Sequence, residues 1–436
     1  MIKRIDKYLN ELFPLNRSIS GKENEKSLEI LREIYPFEIK NIPSNTKVYD
    51  WTVPPEWNVN EAWVKDSKGN IIINFKDLNL HLVSYSIPID KKVTYNELKE
   101  HLYYLEEKPD SIPYRTSYYK RDWGFCISFN NFLRLDKDET YHVYIDSSLD
   151  NNGKMVYGEA LKKGETNEEI LISSYICHPS LANDNLSGVV LSCFLFDQLS
   201  KMDTYYSYRL LLIPETIGAI SWLCKNRTNN IKFGLVASCV AGPGKLGFKS
   251  TFKRDSSLDK AIMFALKEED YISYKFEPIG SDERQYSSPA FKIPTATITK
   301  SKYYEYDEYH TSLDNLDFIS SSNLKLTLDV YLKAISYLEL DRKYKRKFNE
   351  CEFMLSKLGN IYPETGGTIA QPLAVKDHFN HEYTSNSSGK VLDSISWLSY
   401  GCDGDKSLFD IQKESGLPID DLIYSLNILK SKNLIA

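Results

Sequence analysis

The chain has 436 residues, of which 42% are hydrophobic and 26% are charged, a composition typical of a globular protein with two or three domains. Its net charge of −6 excludes an overall basic field that would attract nucleic acid or acidic lipid. The apolar runs stay far below the ~20 residues of a membrane span, so we expect no membrane association.

The cysteines and the N-terminus bear on the cellular compartment in which we expect the protein. The seven cysteines are an odd number and include no CxxC pair, a pattern that disfavours a disulfide framework or a cysteine zinc site. The N-terminus is charged and lacks the apolar stretch of a signal peptide. We therefore expect the protein in the reducing cytoplasm.

The residue pattern changes from helix-like to strand-like near residue 47. Residues 1 to about 45 carry apolar side chains at helical spacing and are predicted to be helical. Between residues 48 and 145, turn signals separate short runs of β-branched and aromatic residues, which predicts a compact β-rich domain inserted into the chain. Its predicted strands include 48–53, 61–64, 71–75 and 82–87.

Strand-like and helix-like segments alternate from about residue 155. This alternation predicts an α/β domain with a mixed, mostly parallel sheet sandwiched by helices. The predicted strands are 169–177, 208–213, 233–240 and 295–299. The predicted helices are 187–199, 217–224, 257–267 and 321–339. We expect residues 1–47 and 146–345 to form this domain around the β-rich insertion at 48–145.

Residues 346–436 are predicted to form a separate C-terminal domain. Its last part, 391–436, reads as a helix, a glycine turn and a second helix, which is a helix-turn-helix or winged-helix pattern. A nucleic-acid-binding regulator is therefore an alternative. Seven acids and four lysines give 391–436 a charge of −3, and Asp420 and Asp421 begin the predicted recognition helix, where they repel phosphate. We favour protein contact, including a homo-oligomer through this domain or the inserted one.

Polar side chains follow the predicted strands of the α/β region, where open sheets bind ligands. The first strand leads to His178 and Asp184, the second to Glu215, and the last to Tyr309 and His310. Imidazole and carboxylate are the ligands of catalytic zinc sites, and a nearby carboxylate can accept a proton from water. Each residue has an ordinary alternative, such as a helix cap at Asp184. Their joint placement at successive strand ends indicates a metal site.

Several motifs carry a resemblance to a known family. They are Trp123-Gly124-Phe125-Cys126, Cys177-His178-Pro179, Asn183-Asp184-Asn185-Leu186-Ser187-Gly188, Pro214-Glu215-Thr216-Ile217-Gly218, Gly280-Ser281-Asp282-Glu283-Arg284-Gln285-Tyr286, Tyr309-His310-Thr311 and Asp403-Gly404. Together they resemble the zinc aminopeptidase family, which includes bacterial leucyl aminopeptidases, glutamate carboxypeptidase and glutaminyl cyclases. The resemblance covers essentially the whole chain. It is closest to a subgroup of bacterial aminopeptidase-like proteins with an inserted β domain and a C-terminal winged helix.

The resemblance implies roles for four residues. His178, Asp184 and His310 would ligate the metal, and Glu215 would be the general base for a water on that metal. The family also implies a cis peptide bond after Asp184. Thr216 stands where the wider family usually has a second glutamate, and the segment 238–243 lacks the acid expected after the next strand. We therefore expect one zinc ion rather than two.

The resulting functional prediction is a zinc-dependent hydrolase, an aminopeptidase or a related amidase, acting on a peptide or a small amide-containing substrate. The absent acids keep a second alternative open, a binding protein that uses a catalytically silent peptidase fold. Three further residues are candidates near the site. Asp282 is expected to orient His310 or to be a turn residue. Arg284 could bind a substrate carboxylate or form a surface ion pair. Tyr309 is a candidate substrate contact.

The remaining candidates lie outside the α/β region. Lys120, Arg121 and Trp123 of the β-rich domain are expected to approach the site. The other five histidines are expected to be structural or exposed; they are His81, His101, His142, His378 and His381.

Overall fold

The computed structural model describes residues 1–355, 375–376, 382–383 and 388–436. The strands are β1 (Glu38–Pro43), β2 (Lys47–Val48), β3 (Trp51–Thr52), β4 (Glu56–Lys65), β5 (Ile71–Asn74), β6 (Ile89–Thr94), β7 (Leu102–Tyr103), β8 (Phe125–Cys126), β9 (Thr140–Asp150), β10 (Lys154–Lys162), β11 (Glu169–Tyr175), β12 (Ser207–Ile213), β13 (Ile231–Ala237), β14 (Leu246–Lys249), β15 (Tyr271–Tyr274), β16 (Thr295–Lys300), β17 (Lys343–Lys345), β18 (Val375–Lys376), β19 (Glu382–Tyr383) and β20 (Asp403–Ser407).

The helices are α1 (Ile2–Leu12), α2 (Lys22–Leu31), α3 (Tyr95–Glu100), α4 (Phe129–Phe132), α5 (Gly188–Ser200), α6 (Ile217–Lys225), α7 (Ser257–Ala265), α8 (Glu283–Tyr286), α9 (Ser321–Leu340), α10 (Ser388–Gly401), α11 (Leu408–Ser415) and α12 (Ile419–Ser431). The chain forms two compact units. The first comprises residues 1–201, 206–254 and 270–328, and the second comprises residues 202–205, 255–269 and 329–436. The predicted three-domain division stays a prediction.

An eight-stranded mixed sheet lies at the centre of the first unit. Its strand order is β1-β10-β12-β11-β13-β16-β14-β15. Strands β12, β11, β13 and β16 run parallel. Strands β1 and β10 pair antiparallel with their neighbours, and β14 pairs antiparallel with β16 and parallel with β15. Every residue of β11 is buried, as expected for a central strand covered on both faces. The predicted fold class, an α/β protein with a mixed, mostly parallel sheet and helices, is confirmed.

The parallel strands set the position of the site. Strand β11 ends at Tyr175, three residues before His178, and β12 ends at Ile213, two residues before Glu215. Strand β16 runs parallel to them through β13, and the loop that follows it carries His310. The carboxyl ends of these strands therefore meet at one edge of the sheet.

A second sheet in the first unit is formed by the predicted β-rich segment. Strands β5, β4, β9 and β6 pair in that order, and all three pairings are antiparallel. The predicted strand at 82–87 is wrong: Leu82 and Ser84 make only isolated bridges, and the backbone turns at Tyr85, where φ is +69°. The apolar side chains there serve burial instead, since Leu82 and Tyr85 belong to the hydrophobic core.

The helical prediction for residues 1–45 is correct for α1 and α2 and wrong for residues 38–43, which form β1. Strand β1 pairs antiparallel with β10 at the edge of the central sheet. Pairing with the sheet thus determines the conformation of this segment. Its apolar residues are too few to show a helical or strand period; they are Phe37, Ile39 and Ile42. In the central sheet, strands β10, β14 and β15 were not predicted either.

The second unit contains α7, residues 329–340 of α9, α10, α11, α12 and strands β17 to β20. The predicted helix pair is present: Ser407 caps the start of α11, Gly416 with a φ of +66° caps its end, and α12 follows. The winged-helix assignment stays a prediction. The seven cysteines, all in the described part of the chain, are free. Among the described helices, none combines the length and apolar character needed to cross a membrane.

Candidate metal centre

The turn between β11 and α5 holds Asp184 in place. The backbone N–H groups of Asn183 and Asp184 donate to the carboxylate of Asp314, at 2.6 and 3.0 Å. The peptide bond between Asp184 and Asn185 is cis, as the resemblance implied. The Asn185 side chain donates to the carbonyl of Ala237 at 3.1 Å, which ties the turn to the end of β13. Asp184 is consequently fixed on both sides and only 1% exposed.

Three side chains converge beside this turn. The Nε2 atoms of His178 and His310 lie 4.0 and 2.9 Å from Oδ2 of Asp184. The ligand atoms of the three residues all lie within 4.8 Å of one another. His178 is buried and His310 is partly exposed. Burial lowers the pKa of His178 to about 4 despite the neighbouring Asp184 charge, so its imidazole is neutral near pH 7, the form that binds a metal.

The unpartnered atoms at this cluster fit a metal ion. Oδ1 of Asp184 accepts a hydrogen bond from the Tyr175 hydroxyl. By contrast, Oδ2 of Asp184 and Nε2 of His310 are buried, and although they lie 2.9 Å apart, neither makes a hydrogen bond of good geometry within the described residues. Buried polar atoms normally have a partner, because leaving one unsatisfied costs about 1–3 kcal/mol. Two imidazoles and a carboxylate are zinc ligands, and a fourth position would stay open for water or substrate.

Contacts behind each histidine orient it. The Arg17 guanidinium donates to the carbonyl of His178 at 2.9 Å and so fixes the strand end. The ring of His310 stacks on the ring of Tyr309, with centroids 4.0 Å apart. The carbonyl of His310 accepts from the backbone N–H of Tyr114 at 2.8 Å. His310 has a φ of +55°, which is uncommon for a residue with a side chain and typical of functional sites.

Glu215 lies in the same cavity as the two histidines. The cavity has a volume of about 340 Å³ and is lined by His178, Glu215 and His310 among others. Burial and the negative charges of Asp282 and Asp184 raise the pKa of Glu215 well above its usual value. A divalent cation beside Asp184 would act in the opposite direction, because a nearby positive charge favours the ionised carboxylate. Metal binding and the charge of Glu215 are thus coupled.

Asp282 has a different partner from the expected one. Its Oδ1 atom accepts a hydrogen bond from the backbone N–H of Thr216 at 2.7 Å, and no described hydrogen bond joins it to His310. Burial raises the pKa of Asp282 to about 7, although the bond from Thr216 and the charge of Arg284 oppose the shift. Asp282 therefore fixes the residue after Glu215, and Thr216 has a φ of +62° there.

Arg284 lines the cavity and does not form the surface ion pair considered as its alternative. Its guanidinium donates to Oγ1 of Thr216 at 2.8 Å and to the carbonyl of Gly280 at 2.9 Å. The neighbouring Glu283 pairs instead with Lys249 at 2.6 Å, and both of these side chains are buried. Arg284 is thus held in one orientation by two neutral acceptors.

The sequence-based choice of residues from the insertion was wrong. Lys120 is exposed and pairs with Asp122, and the ring of Trp123 stacks on His101 with centroids 3.8 Å apart. Neither these residues nor Arg121 line the cavity, whereas Tyr114, Arg115, Thr116 and Tyr118 of the predicted insertion do. The sequence signal available for these residues was a loop rich in tyrosine and without hydrophobic periodicity. Such a pattern does not indicate which surface the loop contacts.

The remaining histidines of the described chain make local contacts. His81 and His101 hydrogen-bond to carbonyls of Cys126 and Trp123, each at 2.9 Å, and His142 lies 2.6 Å from Asp90. His378 and His381 lie outside the described residues.

A second cavity of about 400 Å³ adjoins the first. Its lining includes Ile19, Trp51 and Tyr119, and four residues line both cavities: Tyr118, Glu215, Thr216 and Arg284. Glu215 therefore lies where the two cavities meet, so a substrate could extend to both sides of it.

Comparison with known proteins agrees with this arrangement. The model of a family described as a domain of unknown function, DUF4910, matches residues 6–341. A Clostridium acetobutylicum protein is 42% identical over 431 residues, 98% of this chain and 94% of the relative, and is provisionally described as a polysaccharide biosynthesis protein with an aminopeptidase-like domain.

Solved structures show the same fold. A Clostridium acetobutylicum protein provisionally assigned as a peptidase is 40% identical, with a TM-score of 0.87 over 100% of this chain and 96% of the other. A zinc aminopeptidase from Bacillus subtilis is 13% identical, with a TM-score of 0.55 over 76% of this chain and 94% of that one. At that identity the similarity concerns the fold, which is that of zinc aminopeptidases.

Proposed function

The chain belongs to the DUF4910 family and has the zinc aminopeptidase fold, and on that premise we propose that it is a zinc-dependent hydrolase of amide bonds, an aminopeptidase or a related amidase. One observation carries the proposal. His178, Asp184 and His310 converge as a zinc-type ligand set, and Glu215 lines the same cavity. The substrate we propose is a peptide or a small amide-containing molecule.

The donor set supports a single ion. Thr216, which replaces a second glutamate, has its hydroxyl occupied as the acceptor for Arg284. In the segment that lacks the other expected acid, the Ser238 hydroxyl lies 2.7 Å from the Tyr175 hydroxyl. Neither position offers a carboxylate to a second ion.

The chemistry divides between the ion and the chain. A zinc ion held by His178, Asp184 and His310 would supply a Lewis acid that polarises the scissile carbonyl. The Glu215 carboxylate accepts a proton as water attacks the carbonyl carbon, then gives that proton to the amine nitrogen as the carbon–nitrogen bond breaks. Tyr175 holds Oδ1 of Asp184, so that Oδ2 faces the two imidazoles.

Metal analysis combined with two variants tests the proposal. We expect about one zinc per chain after supplementation, cleavage of some member of an aminoacyl amide panel, and loss of zinc in His310→Ala. Glu215→Gln should keep its zinc and lose about 10²–10⁴-fold in rate, the usual contribution of a general base. A protein without stoichiometric zinc, or a Glu215→Gln variant with undiminished cleavage, contradicts the proposal.

Two alternatives give different outcomes. A catalytically silent binding protein, which the missing acids favour, would hold zinc and cleave nothing. A nucleic-acid-binding regulator would be retained on a heparin column at physiological salt. The structure disfavours the second alternative, because Asp420 at the start of α12 contacts Lys267 and accepts from the Tyr337 hydroxyl at 2.8 Å. That helix end is engaged within the second unit.

The description of the relative suggests where to look for substrates. It connects an aminopeptidase-like domain with polysaccharide biosynthesis, so amides carried on sugars belong in the panel beside peptides.

A further inference from the structure

The polar side chains that line the 340 Å³ cavity are mostly hydrogen-bond donors. Arg115 and Arg284 contribute two cations, and Glu215 is the acid among the lining residues. Four lining tyrosine hydroxyls have no hydrogen-bond partner among the described residues; they belong to Tyr114, Tyr118, Tyr304 and Tyr309. Each of these hydroxyls and the two guanidinium groups can donate to a ligand, so a ligand rich in acceptor oxygens complements this cavity.

The two arginines differ in how they are held. Arg284 is partly buried, and Thr216 and Gly280 fix its guanidinium while leaving further N–H groups available. Arg115 is exposed, and its guanidinium makes only a 3.5 Å contact with the carbonyl of Tyr114. No described ion pair involves Arg115. One fixed and one movable guanidinium, from separate parts of the chain, thus line one cavity.

The backbone around the cavity contains several residues in the left-handed conformation. Four lining residues have positive φ values between +48° and +64°: Tyr118, Thr216, Tyr304 and His310. Side-chain-bearing residues adopt this conformation at a cost of about 1–3 kcal/mol each, and such residues concentrate at functional sites.

We propose that this cavity binds an anionic group of the substrate, a carboxylate or a phosphate, between Arg115 and Arg284 and beside the scissile amide. A guanidinium binds such groups through two parallel N–H···O bonds. The proposal deepens the proposed function, on which it rests for the position of the amide. A neutral polyol fits less well, because each of its hydroxyls brings a donor of its own.

Binding to the zinc-loaded Glu215→Gln variant tests the proposal without turnover. Three probes differ at one end: leucylglycine carries a carboxylate, leucyl-aminomethylphosphonate carries a phosphonate, and leucylglycinamide is uncharged. Calorimetry should show at least one of the two anions binding about tenfold or more tightly than the amide. Tighter binding of the phosphonate indicates a phosphate-bearing substrate, and tighter binding of the carboxylate indicates a peptide-like one.

Arginine variants of the Glu215→Gln protein test whether the arginine side chains cause the preference for the anionic probes. Arg115→Ala, at an exposed position, and Arg284→Ala should each reduce the preference to about threefold or less, and Arg284→Lys should keep part of it. Arg121→Ala is the matched control, an exposed arginine of the same insertion that does not line the cavity, and should keep it all.

Two results overturn the proposal. One is binding of all three probes within about threefold of one another, including no binding by any of them. The other is a preference that survives both alanine variants at unchanged zinc content, since the metal alone would then hold the anion. Failure of the hydrolase proposal is distinguishable: a wild-type protein that cleaves no peptide but keeps the arginine-dependent preference contradicts catalysis alone.

Discussion

Replacing Lys249 with methionine should destabilise the first unit by several kcal/mol. Its ammonium donates to Glu283 at 2.6 Å, to the carbonyl of Ile279 at 2.6 Å and to the Tyr303 hydroxyl at 3.1 Å. Both charged side chains are at most 4% exposed. Breaking a buried pair from one side costs about 3–5 kcal/mol, because the remaining charge loses its opposite charge; Glu283 would keep only the Tyr303 hydroxyl at 3.0 Å and the Ser281 N–H at 3.4 Å.

The Glu283 carboxylate is the origin of that cost, because Lys249→Met leaves it buried without a cation beside it. The double variant Lys249→Met/Glu283→Leu removes both charges and should recover most of the loss.

Urea unfolding followed by tryptophan fluorescence measures these differences. Five of the six tryptophans lie in the first unit, so the signal reports mainly on it. The exposed pair of Lys76 and Glu61, 3.3 Å apart, is the control, and Lys76→Met should cost less than about 1 kcal/mol. A Lys249→Met penalty as small as that of the control, or a double variant no more stable than the single one, would refute the reasoning.

Three further predictions concern the metal centre. Tyr175→Phe should weaken zinc binding about 10–100-fold in a chelator competition, because Asp184 loses the hydroxyl that orients it; unchanged affinity would contradict that role. Zinc at about 100 times its dissociation constant should stabilise the wild type by about 2.7 kcal/mol and His310→Ala far less, measured by thermal unfolding. In zinc-free protein, burial raises the folded pKa of Asp282 to about 7. The folded state therefore binds more protons than the unfolded state between about pH 4 and 7. The free energy of unfolding should consequently decrease as the pH rises through that window. Asp282→Asn should make the free energy of unfolding depend less on pH. An unchanged pH dependence would show that other groups cause it.

Much of the site follows from strand order. Once parallel strands are recognised, residues after their carboxyl ends must meet, which is why His178, Glu215 and His310 could be grouped from sequence. The ligand assignment itself remains a prediction. Strands β1, β10, β14 and β15 were not predicted. They are the two outermost strands at each end of the central sheet, where strand preference depends most on the tertiary context.

The partners of individual side chains could not be predicted in the same way. Asp282 and Arg284 lie two positions apart, yet one holds the backbone of Thr216 and the other its hydroxyl. These choices depend on distances between loops that are far apart in sequence. The same is true of Tyr114 and Arg115, which reach the cavity only because the insertion folds against the loop around His310.

That docking has a consequence for protein engineering. Ile112 and Ser312 are joined by two hydrogen bonds, and the backbone N–H of Tyr114 donates to the carbonyl of His310. Pro113 and Thr311 form an isolated antiparallel β-bridge. Residues 112–114 of the predicted insertion thus hold the loop that carries His310, a proposed metal ligand. We expect a shortened protein without residues 48–145 to leave that loop unsupported. Minimal versions of this scaffold should therefore retain these residues, because the predicted α/β part alone would lack the support of the proposed metal site.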